Sequence, residues 1–348
     1  MDRVFFEGVR CFASRQEVPL APLTILVGEN STGKSTVLAL IRLAWDMRWR
    51  QATDFNEEPF LLGAYDQIAS IVEGSLRRPQ FIIGWAAEAL SVTGLFVSDR
   101  GQPSQPWLTE WAGERHDLHA APERFTTRPY AFAPVRTKPL RTYDPIKGAV
   151  NPEGDHIPLT LAALARSADW QTLTAALESF GRYSGLFTRV DVRQLGASES
   201  DPFQIQIHVG GKAVNLIDVG YGVSQILPIV VDCVRGEEGG TYLLQQPEVH
   251  LHPRAQAELG SFLGFLAKQQ NKRFVIETHS DYLVDRIRMD IRDKKGLTPE
   301  DVALLYFERK NGEATIHRLE LDDQGNLVNA PPGYRSFFLE EERRFLGG

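Results

Sequence analysis

The chain has 348 residues, 43% of them apolar and 24% charged, with a net charge of −7. Such a composition is ordinary for a globular protein, and the acidic balance argues against nucleic-acid binding over the whole surface. Arginine and lysine nevertheless cluster locally, at 136–141 and 286–295. The length predicts one large domain with insertions, or two lobes.

The compartment is predicted from cysteine usage and from the start of the chain. Cys11 and Cys233 are far apart and have apolar neighbours, which favours two buried reduced thiols. The first residues lack the basic start and apolar core of a signal peptide. No apolar run reaches the ~18 residues that a membrane helix needs. We therefore predict a cytoplasmic protein.

The first predicted elements are two strands and a helix. Alternating apolar residues predict a strand over Val4–Phe12. Leu23–Val27 is a β-branched apolar run that stops at Gly28, which is typical of a buried strand. From Lys34 onward the apolar residues recur at helical spacing. A strand therefore leads into a glycine-rich turn, and the turn opens a helix.

The middle of the chain is less regular. Residues 50–130 are predicted to be a β-rich, irregular insertion, in which Leu62–Gln67 is a loop and Phe81–Trp85 and Val92–Val97 are strands. Residues 150–190 are predicted to form a helical lid insertion, because helical periodicity runs from Pro158 to Phe187.

After Asp218, glycine and proline residues again separate predicted strands and helices at regular positions. Further predicted elements are a helix at Ile226–Val234, strands at Thr241–Leu244 and Phe274–Ile276, a helix after Pro253, and a hairpin of Val302–Glu308 with Ala314–Leu319.

A phosphate-binding motif lies between the second strand and the first helix. Gly28 to Ser35 fit the pattern G-x-x-x-x-G-K-S. Backbone N–H groups of such a turn point at phosphates, the lysine neutralises the β- and γ-phosphates, and the serine hydroxyl ligates magnesium. We predict that ATP with Mg²⁺ is bound here. The predicted binding residues are Gly28, Asn30, Ser31, Thr32, Gly33, Lys34, Ser35 and Thr36.

Two later strands end in polar residues. Tyr242–Leu244 leads into Gln245, Gln246 and Glu248, which is where a P-loop enzyme places its magnesium-linked and catalytic carboxylates. The next strand ends close to His279. The order of these features resembles that of the prokaryotic ABC/SMC-like AAA ATPases, which are related to the OLD, SMC and recombination-repair heads and are found in antiphage defence systems.

This resemblance implies an α/β P-loop NTPase fold. Residues 1–348 would form a single ABC-type ATPase head with a mixed sheet, an N-terminal antiparallel β-lobe and a helical insertion. Residues 218–290 would hold the signature, Walker B and switch-histidine segments. In the family, two copies bury two ATP molecules, each between the phosphate loop of one copy and the signature segment of the other. The resemblance implies catalytic roles for Gln246, Glu248 and His279, nucleotide contacts for Gly220, Gly222 and Ser224, and magnesium ligation by Ser35, Gln67 and Gln245.

The chain departs from the family pattern at two places. Gln245 stands where the family has a carboxylate, and an amide cannot act as a base. Loss of such a group commonly costs ~10²–10⁴-fold in rate. We therefore expect either slow hydrolysis or a larger catalytic role for Glu248 or His279. The signature segment also has glycine, at Gly220, where ABC proteins have serine.

Several residues keep two interpretations open. Gln67 is either the Q-loop glutamine or an exposed loop residue. His250 and His252 suggest a metal site, but no further ligand completes it, and a structural or interface role is favoured. Arg136, Lys138 and Arg141 form either a solvated basic face or a contact to nucleotide or nucleic acid.

The leading functional hypothesis is an ATP-binding, slowly hydrolysing switch. It would dimerise head to head around ATP and act in antiphage defence. Because no nuclease module is recognisable in the sequence, it would control a separate effector or nuclease protein. One alternative is a DNA-repair or recombination ATPase that acts directly on DNA. Another is a non-hydrolysing scaffold that uses ATP only for assembly.

Overall fold

A computed structural model describes residues 1–47, 54–73, 76–87, 90–98, 106–112, 127–145, 150–335 and 343–344. The chain divides into two compact units. Unit 1 comprises Met1–Arg128 and Thr298–Gly348, and unit 2 comprises Pro129–Leu297. Among the described residues, no helix combines the length and the apolar character that crossing a bilayer requires.

The strands of the described residues are β1 Arg3–Glu7, β2 Gln16–Pro19, β3 Leu23–Gly28, β4 Ile71–Glu73, β5 Leu76–Arg77, β6 Gln80–Ala87, β7 Leu90–Ser98, β8 Pro106–Ala112, β9 Tyr130–Phe132, β10 Arg189–Gln194, β11 Phe203–Val209, β12 Lys212–Asn215, β13 Thr241–Gln245, β14 Arg273–Glu277, β15 Val302–Lys310 and β16 Glu313–Leu319. The helices are α1 Lys34–Met47, α2 Tyr65–Ile68, α3 Ile157–Leu164, α4 Trp170–Ser184, α5 Tyr221–Arg235, α6 Pro253–Gln269 and α7 Asp281–Arg292.

Unit 1 contains a five-stranded antiparallel sheet in the order β2-β1-β6-β7-β8. This sheet is the predicted N-terminal β-lobe. In the same unit, β15 pairs in parallel with β3 and antiparallel with β16, so these three strands are a mixed sheet. Helix α1 packs against β1 and β6 through a face of buried aliphatic residues. The strand that precedes the phosphate loop is therefore held on one edge by β15.

Unit 2 is built around three parallel strands, with β13 between β9 and β14. The register places Gln245 opposite Glu277 at the carboxyl ends of β13 and β14. A separate antiparallel sheet has the order β10-β11-β12. Helix α4 packs on α6, where the Phe180 and Phe262 rings meet at 5.3 Å. Parallel strands bring their carboxyl ends to the same edge of the sheet, and in unit 2 this edge carries Gln245 and Glu277.

Most predicted elements are confirmed, including the strand before Gly28, the helix from Lys34, the strands of 81–85 and 92–97, and the C-terminal hairpin. The prediction of one strand over Val4–Phe12 is wrong beyond Glu7. Gly8 and Arg10 adopt positive φ angles of 76° and 48°, and these angles turn the chain.

Three boundaries also differ from expectation. Helix α2, Tyr65–Ile68, overlaps the end of the predicted loop Leu62–Gln67, and α5 begins at Tyr221 instead of Ile226. The periodic stretch 158–187 is divided into α3 and α4. The described residues of 50–130 include α2 and β4–β8, and the other residues of this stretch that carry no description lie outside the described ranges. The lid role of 150–190 stays a prediction.

Candidate nucleotide-binding site

The backbone of the phosphate loop needs glycine at both ends. Gly28 has φ +139°, and a Cβ there would collide with the carbonyl oxygen of Phe307. Gly33 has φ +98°, and a Cβ there would collide with the ring of Phe12. Ser31 lies between them with φ +62°, a conformation that residues other than glycine adopt infrequently. The loop is therefore a tight turn that sequence and neighbours fix together.

The side chains of the loop leave an anion site at the start of α1. Lys34 is 3% exposed, and its Nζ donates hydrogen bonds to the carbonyl oxygens of Gly28 at 2.9 Å and Glu29 at 2.6 Å. Thr32 Oγ1 donates to the same Glu29 carbonyl at 2.8 Å. The first turn of α1 contains no acidic residue, so the positive end of the helix dipole is not neutralised there. This arrangement fits a polyphosphate.

The remaining predicted loop residues differ in exposure. Asn30, Ser31 and Ser35 are exposed, whereas Thr36 is buried. The Ser35 hydroxyl is therefore on the solvent side of the first helical turn, where a phosphate-bound magnesium ion would meet it. Its role as a magnesium ligand stays a prediction.

Two arginines that sequence reasoning missed lie beside the loop. Arg10 donates from Nη1 to Thr36 Oγ1 at 3.1 Å and from Nη2 to the Leu62 carbonyl at 2.9 Å. Arg309 donates from Nη1 to the Ser31 carbonyl at 3.1 Å. Both guanidinium groups add positive potential at the loop. No sequence signal marks them, because they come from segments far from the motif.

Gln67, the predicted Q-loop residue, is exposed and lies in α2. Its side-chain oxygen accepts a hydrogen bond from the backbone N–H of Ala64 at 2.8 Å, so it caps its own short helix. That oxygen is the atom with which a glutamine would ligate magnesium. The magnesium role of Gln67 stays a prediction, and a capping role now stands beside it.

In unit 2, the Walker B segment begins where β13 ends. Gln245 is 7% exposed. The backbone N–H of Gln246 donates a hydrogen bond to the Glu277 carbonyl at 2.8 Å, and Gln246 has a positive φ of 43°. The chain therefore leaves the sheet through a sharp turn, which aims the following carboxylate back toward the strand ends.

Glu248 is the buried carboxylate of this turn, at 6% exposure. Its Oε1 accepts a hydrogen bond from the backbone N–H of His279 at 2.8 Å. Burial raises the pKa of Glu248 and the nearby Glu277 raises it further, while the His279 N–H opposes the change. A raised pKa suits a carboxylate that accepts a proton near neutral pH. The His279 ring is exposed.

The three predicted signature residues lie at the start of α5 in unequal environments. Gly220 is exposed, with open space where a Cβ would point. Gly222 is buried, and a Cβ there would lie 2.6 Å from the His250 carbonyl oxygen. Ser224 is buried, and its Oγ donates to the Tyr221 carbonyl at 2.8 Å. Nucleotide contact by these residues stays a prediction, and Gly220 is the accessible one.

His250 and His252 have local structural roles. The His250 ring meets the Tyr221 ring edge-on at 4.7 Å, and His252 accepts a hydrogen bond from the Ala255 N–H at 3.4 Å as the N-cap of α6. Across the described residues, no group of three or more His, Cys, Asp or Glu side chains could hold a metal ion. Both histidines and the start of α5 line a cavity of about 690 Å³.

The basic loop is not a uniform solvated face. Lys138 and Arg141 are exposed, and Arg141 pairs with Asp218 at 2.7 Å. Arg136, however, is 1% exposed. The interpretation as a solvated residue is therefore wrong for Arg136, because Gln225 and the end of β9 enclose it.

Solved structures with the same fold include heads of SMC proteins. One is an SMC head bound to the C-winged helix domain of ScpA, at 10% identity and TM-score 0.53, with 92% of this chain and 98% of that chain covered. Another is an SMC head with an extended coiled coil, bound to the C-terminal domain of ScpA derived from Pyrococcus furiosus, at 9% identity and TM-score 0.51, with 98% and 99% covered. The fold and the phosphate loop define a P-loop NTPase with an ABC/SMC-like ATPase head.

The family is set by a sequence match. Residues 23–285 match the family described as "AAA domain, putative AbiEii toxin, Type IV TA system", and the chain belongs to this family. Residues 297–341 match a second family, described as "Protein of unknown function (DUF3696)". A comparison with curated proteins finds no match.

Proposed function

We propose that this chain is a cytoplasmic ATP-binding switch. ATP with Mg²⁺ binds at Gly28–Thr36, two copies associate around the nucleotide, and the associated pair controls a partner protein in antiphage defence. The observation that carries the proposal is the loop itself. Its glycines leave no room for a side chain, and Lys34 is fixed at the start of a helix whose dipole is free to meet phosphate.

The residues present fit a magnesium nucleotide. Ser35 would hold the ion from the loop, Gln245 would offer a neutral oxygen, and Gln67 would do so on releasing the Ala64 N–H. Bound magnesium would neutralise charge that develops on the phosphates during hydrolysis. Glu248 would accept a proton from the attacking water, and the exposed His279 would contact the γ-phosphate. Gln246 follows Gln245 and would orient the water.

Hydrolysis is expected to be slow because Gln245 replaces an acid. This residue is also the observation that favours a second candidate, a scaffold that binds ATP without turnover. The two candidates differ in one measurement. Phosphate release above the uncatalysed background under single-turnover conditions supports the switch, whereas tight ATP binding without release supports the scaffold.

Direct action on DNA is less well supported. Four of the five cations in the 286–295 cluster are paired with acids on α6, α7 or the following turn. These pairs are Arg286–Glu258 at 3.4 Å, Arg288–Asp285 at 2.8 Å, Arg292–Asp293 at 2.9 Å and Lys295–Asp290 at 3.1 Å. A cation already paired gains less from a phosphate. DNA affinity that falls steeply with salt would restore this alternative.

Two comparisons support control of a partner protein. Both SMC heads named above are bound to a domain of ScpA, so this fold holds another protein in those cases. The family description names a toxin and a TA system, which supports a defence context.

Light scattering tests the switch. With ATP and magnesium the protein should at least double in mass, and Lys34→Ala should abolish the increase because the loop loses its phosphate-binding ammonium. Lys268→Ala is the matched control, since it removes an exposed lysine near the end of α6. An unchanged mass with and without ATP would contradict ATP-driven association.

A further inference from the structure

Arg136 is a buried cation with unused donors. Its side chain is 1% exposed, and Nη1 donates to the Ala133 carbonyl at 3.0 Å. Its Nε and Nη2 are also buried, and neither has a hydrogen-bond partner among the described residues. Leaving a buried donor without a partner destabilises the folded state, and more so when the donor is on a charged group. Such a residue needs a compensating acceptor close by.

Glu248 carries the complementary unused acceptor. Its Oε1 is bound to the His279 N–H, whereas Oε2 is buried and has no partner of normal hydrogen-bond geometry among the described residues, although the Thr278 side chain lies close enough to lower the pKa of Glu248. Burial lowers the pKa of Arg136 to about 10, and the charge of Glu248 acts against this shift, so the two groups lie within electrostatic range. The described side chains nevertheless form no ion pair between Arg136 and Glu248.

Gln225 fixes the backbone of Arg136 to helix α5. Gln225 Oε1 accepts a hydrogen bond from the Arg136 N–H at 3.0 Å, and Gln225 Nε2 donates to the Arg136 carbonyl at 3.2 Å. Gln225 is itself 1% exposed, and it lies one helical turn beyond the signature glycines. A displacement of the start of α5 would therefore carry Arg136 with it.

The same helix end also touches the loop that carries Glu248. Gly222 approaches the His250 carbonyl so closely that a Cβ would lie 2.6 Å from it. Gln246 and His250, on either side of Glu248, have positive φ angles of 43° and 70°. Such backbone strain persists only where the surroundings impose it. The first turns of α5 thus contact both the backbone of Arg136 and the loop that carries Glu248.

We propose that Arg136 is a positioning residue for Glu248. In the nucleotide-bound protein the Nε and Nη2 hydrogens of Arg136 bind Oε2 of Glu248, and Gln225 ties this pair to α5. With Oε1 held by the His279 N–H and Oε2 held by Arg136, the carboxylate is fixed in one orientation toward the attacking water. The signature helix thereby acts on the catalytic carboxylate. The kinetic part of this proposal rests on the proposed ATP hydrolysis.

A double-mutant cycle tests the pair. The variants are Arg136→Met, Glu248→Gln and their combination, with Arg136→Lys as the conservative change. Arg182→Met is the matched control, because it removes an exposed arginine of α4 in the same unit. Steady-state ATP hydrolysis gives kcat and KM, and thermal unfolding without nucleotide gives Tm.

The pair predicts non-additive results. Arg136→Met should lower kcat by ~10–100-fold, as expected for a misplaced catalytic group, while KM changes by less than about 3-fold. Arg136→Lys should recover part of the loss. In the Glu248→Gln background, Arg136→Met should lower kcat no further. Without nucleotide the two buried charges already attract each other before they hydrogen-bond, so the double variant should have a Tm at least about 2 °C above the sum of the single effects.

The outcomes separate this proposal from the proposed function. Equal effects of Arg136→Met on kcat and Tm in both backgrounds would overturn the pairing, since each residue would then act alone. If no variant binds ATP, the proposed function fails, and the Tm cycle without nucleotide still decides whether the two groups interact. If Arg136→Met does not fold, the same cycle is run with Arg136→Lys.

Discussion

The backbone N–H of His279 donates a hydrogen bond to Oε1 of Glu248 over 2.8 Å. This bond joins the turn after β13 to the turn after β14, so the two polar strand ends of unit 2 move together. The exposed imidazole of His279 is held through its own main chain by a buried carboxylate. A change in the charge or shape of Glu248 should therefore be felt at His279 as well as at the proton-transfer step.

The protonation of Glu248 should affect stability in a defined direction. Because burial raises its pKa above the ordinary 4.5, the folded protein binds this proton more tightly than the unfolded chain. Its stabilising contribution is full below about pH 4.5, and is lost as the pH rises through the raised pKa. Glu248→Gln should therefore gain stability relative to the wild type as the pH rises from 4.5 to 8, in urea unfolding.

The control for this pH effect has the opposite sign. Lys310 lowers the pKa of Glu308, so the contribution of Glu308 to the free energy of unfolding is lost as the pH falls. Glu308→Gln should not reproduce the gain at high pH. If the free energies of unfolding of Glu248→Gln and the wild type changed in parallel with pH, Glu248 would have the same pKa in the folded and unfolded states, which would contradict the prediction.

Restoring an acid at position 245 should speed hydrolysis. Gln245→Glu places a carboxylate at the buried end of β13, opposite Glu277 in the register. Phosphate release should rise at least ~10-fold, the low side of a lost acid-base group. The nucleotide-free protein should also unfold at a lower temperature, because a second buried charge lies near Glu277. Gln171→Glu, on the exposed face of α4, makes the same chemical change and should leave both properties unaltered.

A methyl group at Gly33 should destroy the phosphate loop. Alanine there would strain the backbone at φ +98° and collide with the Phe12 ring, while its Cβ would lie 2.9 Å from Cys11 Sγ. ATP binding measured by calorimetry should be lost. Gly312→Ala separates the two causes, because Gly312 also has a positive φ, of 88°, but open space around it. It should cost only the ~1–2 kcal/mol of left-handed backbone and leave ATP affinity intact.

The parts of the site that sequence predicts are those with a local signal. The phosphate loop follows from a strand, a glycine spacing and a helix within one short segment. Arg136 could not be placed in this way, because its backbone is held by Gln225, which lies far along the chain. Arg10 was missed because Gly8 turns the chain where alternation alone predicts a continuing strand. Non-local packing accounts for each of these differences.

Gly220 and Gly222 should respond differently to the same added methyl group. Gly222→Ala would place a Cβ 2.6 Å from the His250 carbonyl, a backbone atom that cannot rotate away. Overpacking of this kind typically costs ~1–3 kcal/mol, so its Tm should fall. Gly220→Ala meets open space and has an ordinary φ of −56°, so its Tm should change little.

If the exposed Gly220 forms part of the surface that a second copy covers, Gly220→Ala should weaken ATP-dependent dimerisation about tenfold, or 1.4 kcal/mol, in analytical ultracentrifugation. An unchanged dimerisation constant for Gly220→Ala, with the fold intact, would place the nucleotide-facing surface of the second copy elsewhere than at the start of α5.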